Sequence, residues 1–441
     1  MTSTTQLLIC LIAGVALIVL LTAHFRVHAF FALLLACLAV GIGAQMPMAD
    51  VIAASKDGFG SVMKSLGLII VLGTALGVVL DWTGSTTTMA EFILRKVGER
   101  RAPLAMCLTG FVVGLPIFCD SGYIVLSGLN RSLSRRTGTP MPVMAISLAS
   151  GLYSVHCLIP PHPGAAAAAA TLGVDFGRLI LAGIIVAVPA TLAGFGWAIY
   201  AGRLGAVPDP EREDAKEVRA PLPPAFRSFL PVVVPVVLIA VRSFVTLSAD
   251  GAGFWRKTIL TLGDPVIALA VGLALAFLTR SGWTRAEISK LLQDSAEKAG
   301  GILVIIGAGG AFGAVLTATK IGEHFSATLP LGSLGILFPF VLTVLLKTAQ
   351  GSSTVALLTA ASIVQPLLPA LSLSNDTGRL LCALALGAGS MTFSQANDAY
   401  FWVIAKFSGL DMKTMLRVHS VASGLMGLAA LAMVYVLKAV L

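Results

Sequence analysis

Hydrophobic residues recur in long runs along nearly the whole chain, separated by short polar stretches. An α-helix needs about 20 consecutive apolar residues to cross a bilayer, so the pattern predicts an all-α polytopic membrane protein. The predicted crossing helices span residues 5–23, 28–45, 65–82, 141–160, 178–202, 228–249, 264–279, 299–318, 379–394 and 418–438.

Two further apolar stretches, residues 103–130 and 333–371, are interrupted by polar and small residues. The first is preceded by "RKVGERR" (95–101) and followed by "RSLSRR" (131–136). Cytoplasmic loops carry the excess of Lys and Arg, so both basic clusters are expected on the cytoplasmic side. A segment that enters and leaves on one side is a re-entrant hairpin, and the second stretch is predicted to be another, opening to the outside.

Composition and charge agree with this class. Of the 441 residues, 57% are hydrophobic and only 12% are charged, against about 25% charged in soluble domains. The net charge of +9 comes from short loops, so no nucleic-acid partner is expected. Counting crossings from the first hairpin places the linker 203–227 in the cytoplasm and both termini outside. A bacterial-type inner membrane is the expected location.

The two halves of the chain resemble each other at a constant offset. "LGTALGVVL" (72–80) matches "AGGAFGAVL" (308–316), and the same offset of 236 positions aligns His162 with Asp398. Each half has a hairpin, an interrupted helix and an odd number of crossings, so the second half is predicted to be inverted. Interrupted helices at matching places in inverted repeats mark the binding site of secondary transporters. The paired glycines of these matching segments are interpreted as helix-packing residues.

The predicted domains follow from this repeat. Residues 1–202 form the first repeat, with its hairpin at about 103–130 and a broken helix at about 141–175. Residues 203–227 form the linker. Residues 228–441 form the second repeat, with its hairpin at about 333–371 and a broken helix at about 379–408.

The first break carries the sequence "SVHCLIPPHPG" (154–164). Proline interrupts the helical hydrogen bonds, and backbone freed inside a membrane must be satisfied by protein or by a water-filled cavity. The half-helix that begins near Gly164 directs its positive end at the gap, which favours an anion. At the equivalent break, "SQANDAY" (394–400) offers Asn397 and Asp398.

The two hairpin tips add polar groups, in "PIFCDSGY" (116–123) and "AQGSSTV" (349–355). Their hydroxyl and amide groups suit a polyhydroxylated or carboxylate ligand. The predicted substrate-binding residues are Ser121, Gly122, Pro161, His162, Gly164, Ser352, Ser353, Thr354 and Asn397.

Three residues are predicted to couple transport to a proton or another ion: Asp120, His162 and Asp398. An aspartate in a membrane helix costs about 2.5–3.5 kcal/mol, so it is kept for a reason. The alternative is that either aspartate caps a helix. His156 is a rival proton carrier, because imidazole titrates near neutral pH, but it is interpreted as a core histidine.

The stretches "GLPIFCDSGY" (114–123), "LIPPHPG" (158–164) and "QANDAYFW" (395–402), with "RRTG" (135–138) and "STVALLTAA" (353–361), resemble the gluconate:proton symporter family. The resemblance covers nearly the whole chain. It implies proton-driven uptake of a sugar acid or related small hydroxy acid. It also implies an elevator-type homodimer with a static scaffold and a mobile transport domain. Gln395 departs from the family, which usually has a histidine there.

Other functions are kept as alternatives. One is a sodium-coupled or exchange transporter of another small organic anion or of a hydroxy amino acid. Another is an integral membrane enzyme, although the sequence lacks a zinc-protease motif, a nucleophile elbow and a phosphate-binding loop. No enzymatic activity, catalytic residue, cofactor or metal is therefore expected. The six cysteines lie in apolar stretches without paired metal-ligand spacing.

Overall fold

The computed structural model describes residues 4–202, 222–247, 254–321 and 331–441, and these residues form helices and no strands. Before the linker the helices are α1 (Thr4–Val19), α2 (Ala29–Gly43), α3 (Met48–Trp82), α4 (Ser85–Val97), α5 (Ala102–Gly114), α6 (Cys119–Thr137), α7 (Met141–Leu158), α8 (Pro163–Leu172) and α9 (Phe176–Gly202). Most of the predicted linker lies outside the described residues.

After the linker the helices are α10 (Ala225–Leu247), α11 (Phe254–Leu262), α12 (Pro265–Phe277), α13 (Arg285–Ala318), α14 (Leu337–Gln350), α15 (Ser353–Val364), α16 (Asp376–Met391), α17 (Ala399–Ser408), α18 (Met412–Met415) and α19 (Val421–Val440). A π-helical turn, Leu416–Ser420, joins the last two.

In the described ranges, seven helices are long and apolar enough to cross a membrane, or eight if α11 and α12, bent by 67°, form one span. These eight correspond to eight of the ten predicted crossings. The other two, 28–45 and 379–394, are the shorter helices α2 and α16. The prediction of an all-α polytopic membrane protein is confirmed.

Two helices are much longer than predicted. α3 has 35 residues and α13 has 34, against the predicted crossings 65–82 and 299–318. The segment before residue 299, which lies outside the predicted crossing, is helical because a capping box starts α13. Thr284 Oγ1 accepts from the Glu287 amide, and the Glu287 carboxylate accepts from the Thr284 amide. The two helices cross closely, since a Cβ on Gly58 would lie 2.3 Å from the Gly310 carbonyl oxygen.

Both interrupted apolar stretches fold as helical hairpins. α5 and α6 form the first, which turns at residues 115–118, and α14 and α15 form the second, which turns at Gly351 and Ser352. Gly351 has a φ of +80°, a left-handed conformation that favours glycine. The Ser352 hydroxyl caps α15 by accepting from the Val355 amide. We call these turns tip 1 (residues 115–118) and tip 2 (Gly351–Ser352).

Helices are interrupted at two places within the segments 141–175 and 379–408. α7 ends at Leu158 and α8 begins at Pro163, and the Pro160–Pro161 peptide bond between them is cis. We call this segment break 1 (residues 159–162). Break 2 (residues 392–398) separates α16 from α17. Every residue of α7 is buried, so this helix lies at the centre of the molecule.

Candidate functional site

Tip 2, break 2 and the start of α6 meet around a cavity of about 490 Å³. α7 contributes Tyr153 and His156 to its wall, and α13 contributes Lys298. Of the predicted site residues, the cavity brings together Asp120, Ser121, Ser352, Ser353, Thr354, Asn397 and Asp398. Asp120 and Asp398, which are 278 positions apart in the chain, thus contribute to one wall.

The other predicted site residues lie outside this cavity. Pro161 and His162 line a small neighbouring pocket, which they share with Gly73 and Thr74 of α3. A Cβ on Gly122 would lie 2.8 Å from the Leu152 side chain, and one on Gly164 would lie 3.3 Å from the Thr354 Cα. Break 1 packs against α3, so only its neighbour Pro163 reaches the main cavity.

Asp398 is held by three donors. Its Oδ1 accepts from the Tyr400 amide at 3.0 Å, which caps α17. Its Oδ2 accepts from Lys347 Nζ at 2.7 Å and from Ser394 Oγ at 2.5 Å. Asp398 therefore caps a helix through Oδ1, as the alternative interpretation of the sequence proposed, and forms an ion pair with Lys347 through Oδ2.

Lys347 is a site residue that sequence reasoning missed. It lies in α14, and its side chain is fully buried, with an exposed fraction of 0%. Besides Asp398, its ammonium donates to the Gly351 carbonyl oxygen at 2.8 Å. The signal was present in the sequence, because a lysine inside the apolar run "VLTVLLKTA" (341–349) is as costly as the aspartates that were singled out.

His419 was missed as well. It lies in the π-helical turn, is buried, and its Nε2 lies 3.1 Å from Ser394 Oγ. Ser394 Oγ donates to Asp398, so it accepts from His419 Nε2–H, and the hydrogen bonds run from His419 through Ser394 to Asp398. Ser423 Oγ also accepts from the Ser394 amide at 2.9 Å. Break 2 is thereby tied to the last long helix.

Further hydrogen bonds join the last turn of α14 to break 2. Asn397 Nδ2 donates to the Thr348 carbonyl oxygen at 2.8 Å, and Gln395 Nε2 donates to the same oxygen at 3.3 Å. Gln395 therefore contacts the second hairpin. The Trp402 indole closes the break by donating to the Ala396 carbonyl oxygen at 2.7 Å.

In break 1, the hydrogen bonds assign the histidine tautomers. His162 Nε2 lies 2.6 Å from the Gly114 carbonyl oxygen, which only accepts, so this nitrogen donates. The neutral ring then has an acceptor at Nδ1, which lies 3.3 Å from His156 Nδ1, and His156 donates there. His162 is thus fixed between Gly114 and His156, and His156 reaches the cavity wall.

The cavity favours an anion with polar substituents. The N-terminal residues of α6, α15 and α17 all line it, and helix N-termini present free amides and a positive dipole end. Lys298 supplies a positive charge at the cavity wall. The side-chain Nε2 and Oε1 atoms of Gln350 are buried and have no hydrogen-bond partner in the described protein. Buried polar atoms normally have partners, so Gln350 is available to a ligand.

Among the described residues, no group of three or more His, Cys, Asp or Glu side chains is arranged to hold a metal ion. The site instead consists of hairpin tips and interrupted helices that converge, within a membrane bundle, on a cavity lined by both polar and apolar side chains. This arrangement is the one in which transporters bind solutes. The fold and the site therefore define a membrane transport protein.

Comparison with known proteins gives the family. The model of the GntP family permeases matches residues 6–440, and the chain belongs to this family. It is 33% identical to the gluconate permease of Pseudomonas aeruginosa, over 99% of this chain and 98% of the relative. It is 29% identical to the D-serine transporter DsdX of Escherichia coli O6:H1 (strain CFT073), over 97% of each.

Among solved structures, the chain is similar to the YdaH transporter of Alcanivorax borkumensis, with a TM-score of 0.62 and 16% sequence identity. The match covers 87% of this chain and 88% of that one. The resemblance stated from the sequence motifs is confirmed. The chain is an integral inner-membrane permease and not an enzyme.

Proposed function

We propose that the protein takes up gluconate, or a related sugar acid or small hydroxycarboxylate, by proton-coupled symport across the inner membrane. The observation that carries the proposal is the cavity in which three helix N-termini meet tip 2. Its volume of about 490 Å³ lies within the range of about 300–1,000 Å³ typical of small-molecule sites.

Each part of such a substrate has a matching group in the wall. The carboxylate suits the free amides at the starts of α6 and α15, where Ser121 and Ser353 lie. The hydroxyls suit the Gln350 amide and the side chains of Thr354 and Asn397. Ser352 caps α15, so its role is to position this helix start. We retain Gly122, Pro161, His162 and Gly164 as residues that support the wall from behind.

Two inverted repeats, residues 1–202 and 228–441, account for this arrangement. In support, α8 and α17 have 10 residues each, and their bounds differ by the 236 positions that relate the two halves in sequence. α3 and α13 also end 236 positions apart. In this proposal the hairpins are re-entrant and the hairpins and broken helices move together, as in an elevator-type homodimer.

The distribution of charge supports an orientation for this proposal. Lys298 is exposed and lines the cavity, and it belongs to the basic segment Arg280–Lys298, which the distribution of charge assigns to the cytoplasm. The cavity then opens to the cytoplasm in this conformation. The linker 203–227 is cytoplasmic and both termini are external.

Three groups are proposed for coupling: Asp120, His162 and Asp398. Asp120 lies in the first turn of α6 and lines the cavity. A second candidate function, transport of a hydroxy amino acid, draws support from this residue. In the described part of the chain no cation contacts Asp120, so its carboxylate is available to a substrate ammonium, and one relative is a D-serine transporter.

Uptake of labelled gluconate into proteoliposomes tests the proposal. We expect accumulation under an imposed inward proton gradient, with no effect of a sodium gradient, and competition by unlabelled sugar acids. Stronger competition by D-serine than by any sugar acid would favour the second candidate. Accumulation driven by sodium alone would replace the proton as coupling ion, and no uptake of any acid under either gradient would overturn the proposal.

A further inference from the structure

The ammonium of Lys347 occupies a position built for a cation. It lies 2.8 Å from the Gly351 carbonyl oxygen in tip 2 and 2.7 Å from the Asp398 carboxylate in break 2. Both Gly351 and Asp398 line the cavity, whereas Lys347 itself is fully buried behind them. The ammonium therefore joins tip 2 to break 2.

Carbonyl oxygens of an unwound backbone, together with a carboxylate, are the groups that hold sodium in transporters with broken helices. In this protein these oxygen atoms already bind a cation, the Lys347 ammonium, which is covalently part of the chain. We propose that Lys347 replaces a sodium ion at this position, and that the Lys347–Asp398 pair carries the coupling proton. This inference rests on the proposed function and names its coupling group.

The charge of the pair explains how it would couple. With Lys347 protonated, the pair is neutral, and the remaining charges of the cavity wall, Asp120 and Lys298, balance each other. Lys347 does not line the cavity, so its proton leaves through Asp398, which does. The N–H bond breaks as Asp398 Oδ2 takes the proton, the carboxyl group passes it to water as hydronium, and the neutral amine and the Asp398 carboxylate remain. Asp398 then adds an unbalanced negative charge beside the site, which disfavours an anionic substrate.

Substrate and proton are thus bound together and released together. The other titratable groups that face the pair are His419, which bonds to Ser394, and His156, Tyr153 and Asp120 across the cavity wall. None of these donates to Asp398 directly, whereas Lys347 does. A change in the protonation state of Lys347 therefore alters the charge next to Asp398 more directly than a change at any of these other groups.

Replacing Lys347 with arginine tests the inference, because arginine keeps the positive charge but cannot be deprotonated in proteins. In proteoliposomes we expect Lys347→Arg to retain exchange of labelled for unlabelled gluconate, which needs only the loaded carrier. Accumulation driven by a proton gradient should fall at least tenfold, because the arginine cannot release a proton after the substrate has left. Lys406→Met is the matched control, since Lys406 is an exposed lysine of α17, and it should behave as wild type.

A second variant covers the case in which arginine does not fit. Lys347→Met combined with Asp398→Asn removes both charges and should also exchange without accumulating. Accumulation at the wild-type level by either variant would overturn the inference, and so would sodium-driven uptake by the wild type. Loss of exchange in both variants, with correctly folded protein, would assign the pair to substrate binding and also overturn it. A wild type that transports no acid would instead mark the failure of the proposed function.

Discussion

The Nδ1 atoms of His156 and His162 lie 3.3 Å apart, and this contact gives the two histidines different roles. His162 donates from Nε2 to the Gly114 carbonyl oxygen and accepts at Nδ1, so both ring nitrogens are occupied by protein. His156 donates to His162 and keeps Nε2 as an acceptor, and its ring lines the cavity. The sequence had favoured the reverse assignment, with His156 in the core and His162 at the site.

Replacing His162 should therefore lower the thermal stability of the protein more than its affinity for the substrate. His162→Leu leaves a buried carbonyl and the His156 donor without partners, and each unsatisfied group costs about 1–3 kcal/mol. We expect a clear loss of thermal stability in detergent, larger than for His156→Leu, which leaves only the His162 acceptor unpaired. His156→Leu should instead raise the KM for gluconate, because it removes a polar group from the cavity wall.

The measurement is thermal unfolding of both variants beside uptake kinetics. The assignment would be contradicted if His162→Leu unfolded at the wild-type temperature while its KM rose several-fold.

Asp398 and Lys347 should show strong energetic coupling. Asp398→Asn keeps an acceptor for the Tyr400 amide, but it leaves Lys347 as an unpaired buried charge, which costs about 3–5 kcal/mol. Lys347→Met should cost a similar amount, because it strands the carboxylate. The double variant should be more stable than either single variant, because replacing both members of a buried ion pair with uncharged residues often changes the free energy of unfolding little.

A double-mutant cycle on the free energy of unfolding measures this coupling. Asp411→Asn is the matched control, because Asp411 is an exposed N-cap that accepts from the Thr414 amide. It should change stability by less than about 1 kcal/mol. Additive effects of the two single variants would show that the pair is not coupled.

Much of the architecture followed from local sequence rules. The apolar runs predicted the crossing helices. The charge pattern around residues 103–130 predicted a re-entrant hairpin; α5 and α6 form a helical hairpin there, and its re-entrance stays a prediction. The prolines of "IPPHPG" (159–164) predicted break 1, since proline cannot continue a helix. Helix lengths were not predictable in the same way. The N-terminal half of α13 is polar enough to resemble a loop, and only its capping box marks the start at Thr284.

The site was predicted less completely, because it depends on tertiary contacts. Lys347 bonds to Asp398, 51 positions away, and no local pattern pairs them. Break 1 was expected to line the cavity, but Pro161 packs against Gly73 of α3, where a Cβ would lie 3.4 Å from the proline ring. Gly73 had been interpreted as a packing residue, but the sequence does not reveal which surface it would contact.

Gly351 is expected to tolerate no side chain. It has a φ of +80°, and a Cβ would lie 2.1 Å from the Asn397 carbonyl oxygen, a backbone atom that cannot move without shifting break 2. A residue other than glycine in this conformation costs about 1–2 kcal/mol before any clash. Gly351→Ala should therefore separate tip 2 from break 2 and lower uptake at least tenfold.

Gly128→Ala is the control for Gly351→Ala. Gly128 lies inside α6, and no atom lies within 4 Å of the Cβ that alanine would add. Uptake should be unchanged, and stability should be equal or higher by up to about 1 kcal/mol. Wild-type uptake by Gly351→Ala would mean that the contact between tip 2 and break 2 is not needed for transport.

Lys298 should act on substrate affinity through long-range attraction. It is exposed at the cavity wall, and it is the lysine that lines this cavity among the described residues. An exposed charge contributes modestly, so Lys298→Gln should raise the KM for gluconate about two- to five-fold without changing the maximal rate. The difference from wild type should shrink as ionic strength rises, because at 0.1 M salt the attraction between exposed charges more than about 10 Å apart is largely screened.

Lys290→Gln is the matched control, since Lys290 is also exposed on α13 but does not line the cavity. It should leave the KM unchanged at every salt concentration. If the cavity opens to the cytoplasm, the effect of Lys298→Gln should appear when substrate is presented from that side, in proteoliposomes of defined orientation. An equal effect of both variants would mean that Lys298 acts only through net surface charge, and an effect independent of salt would point to a direct contact with the bound acid.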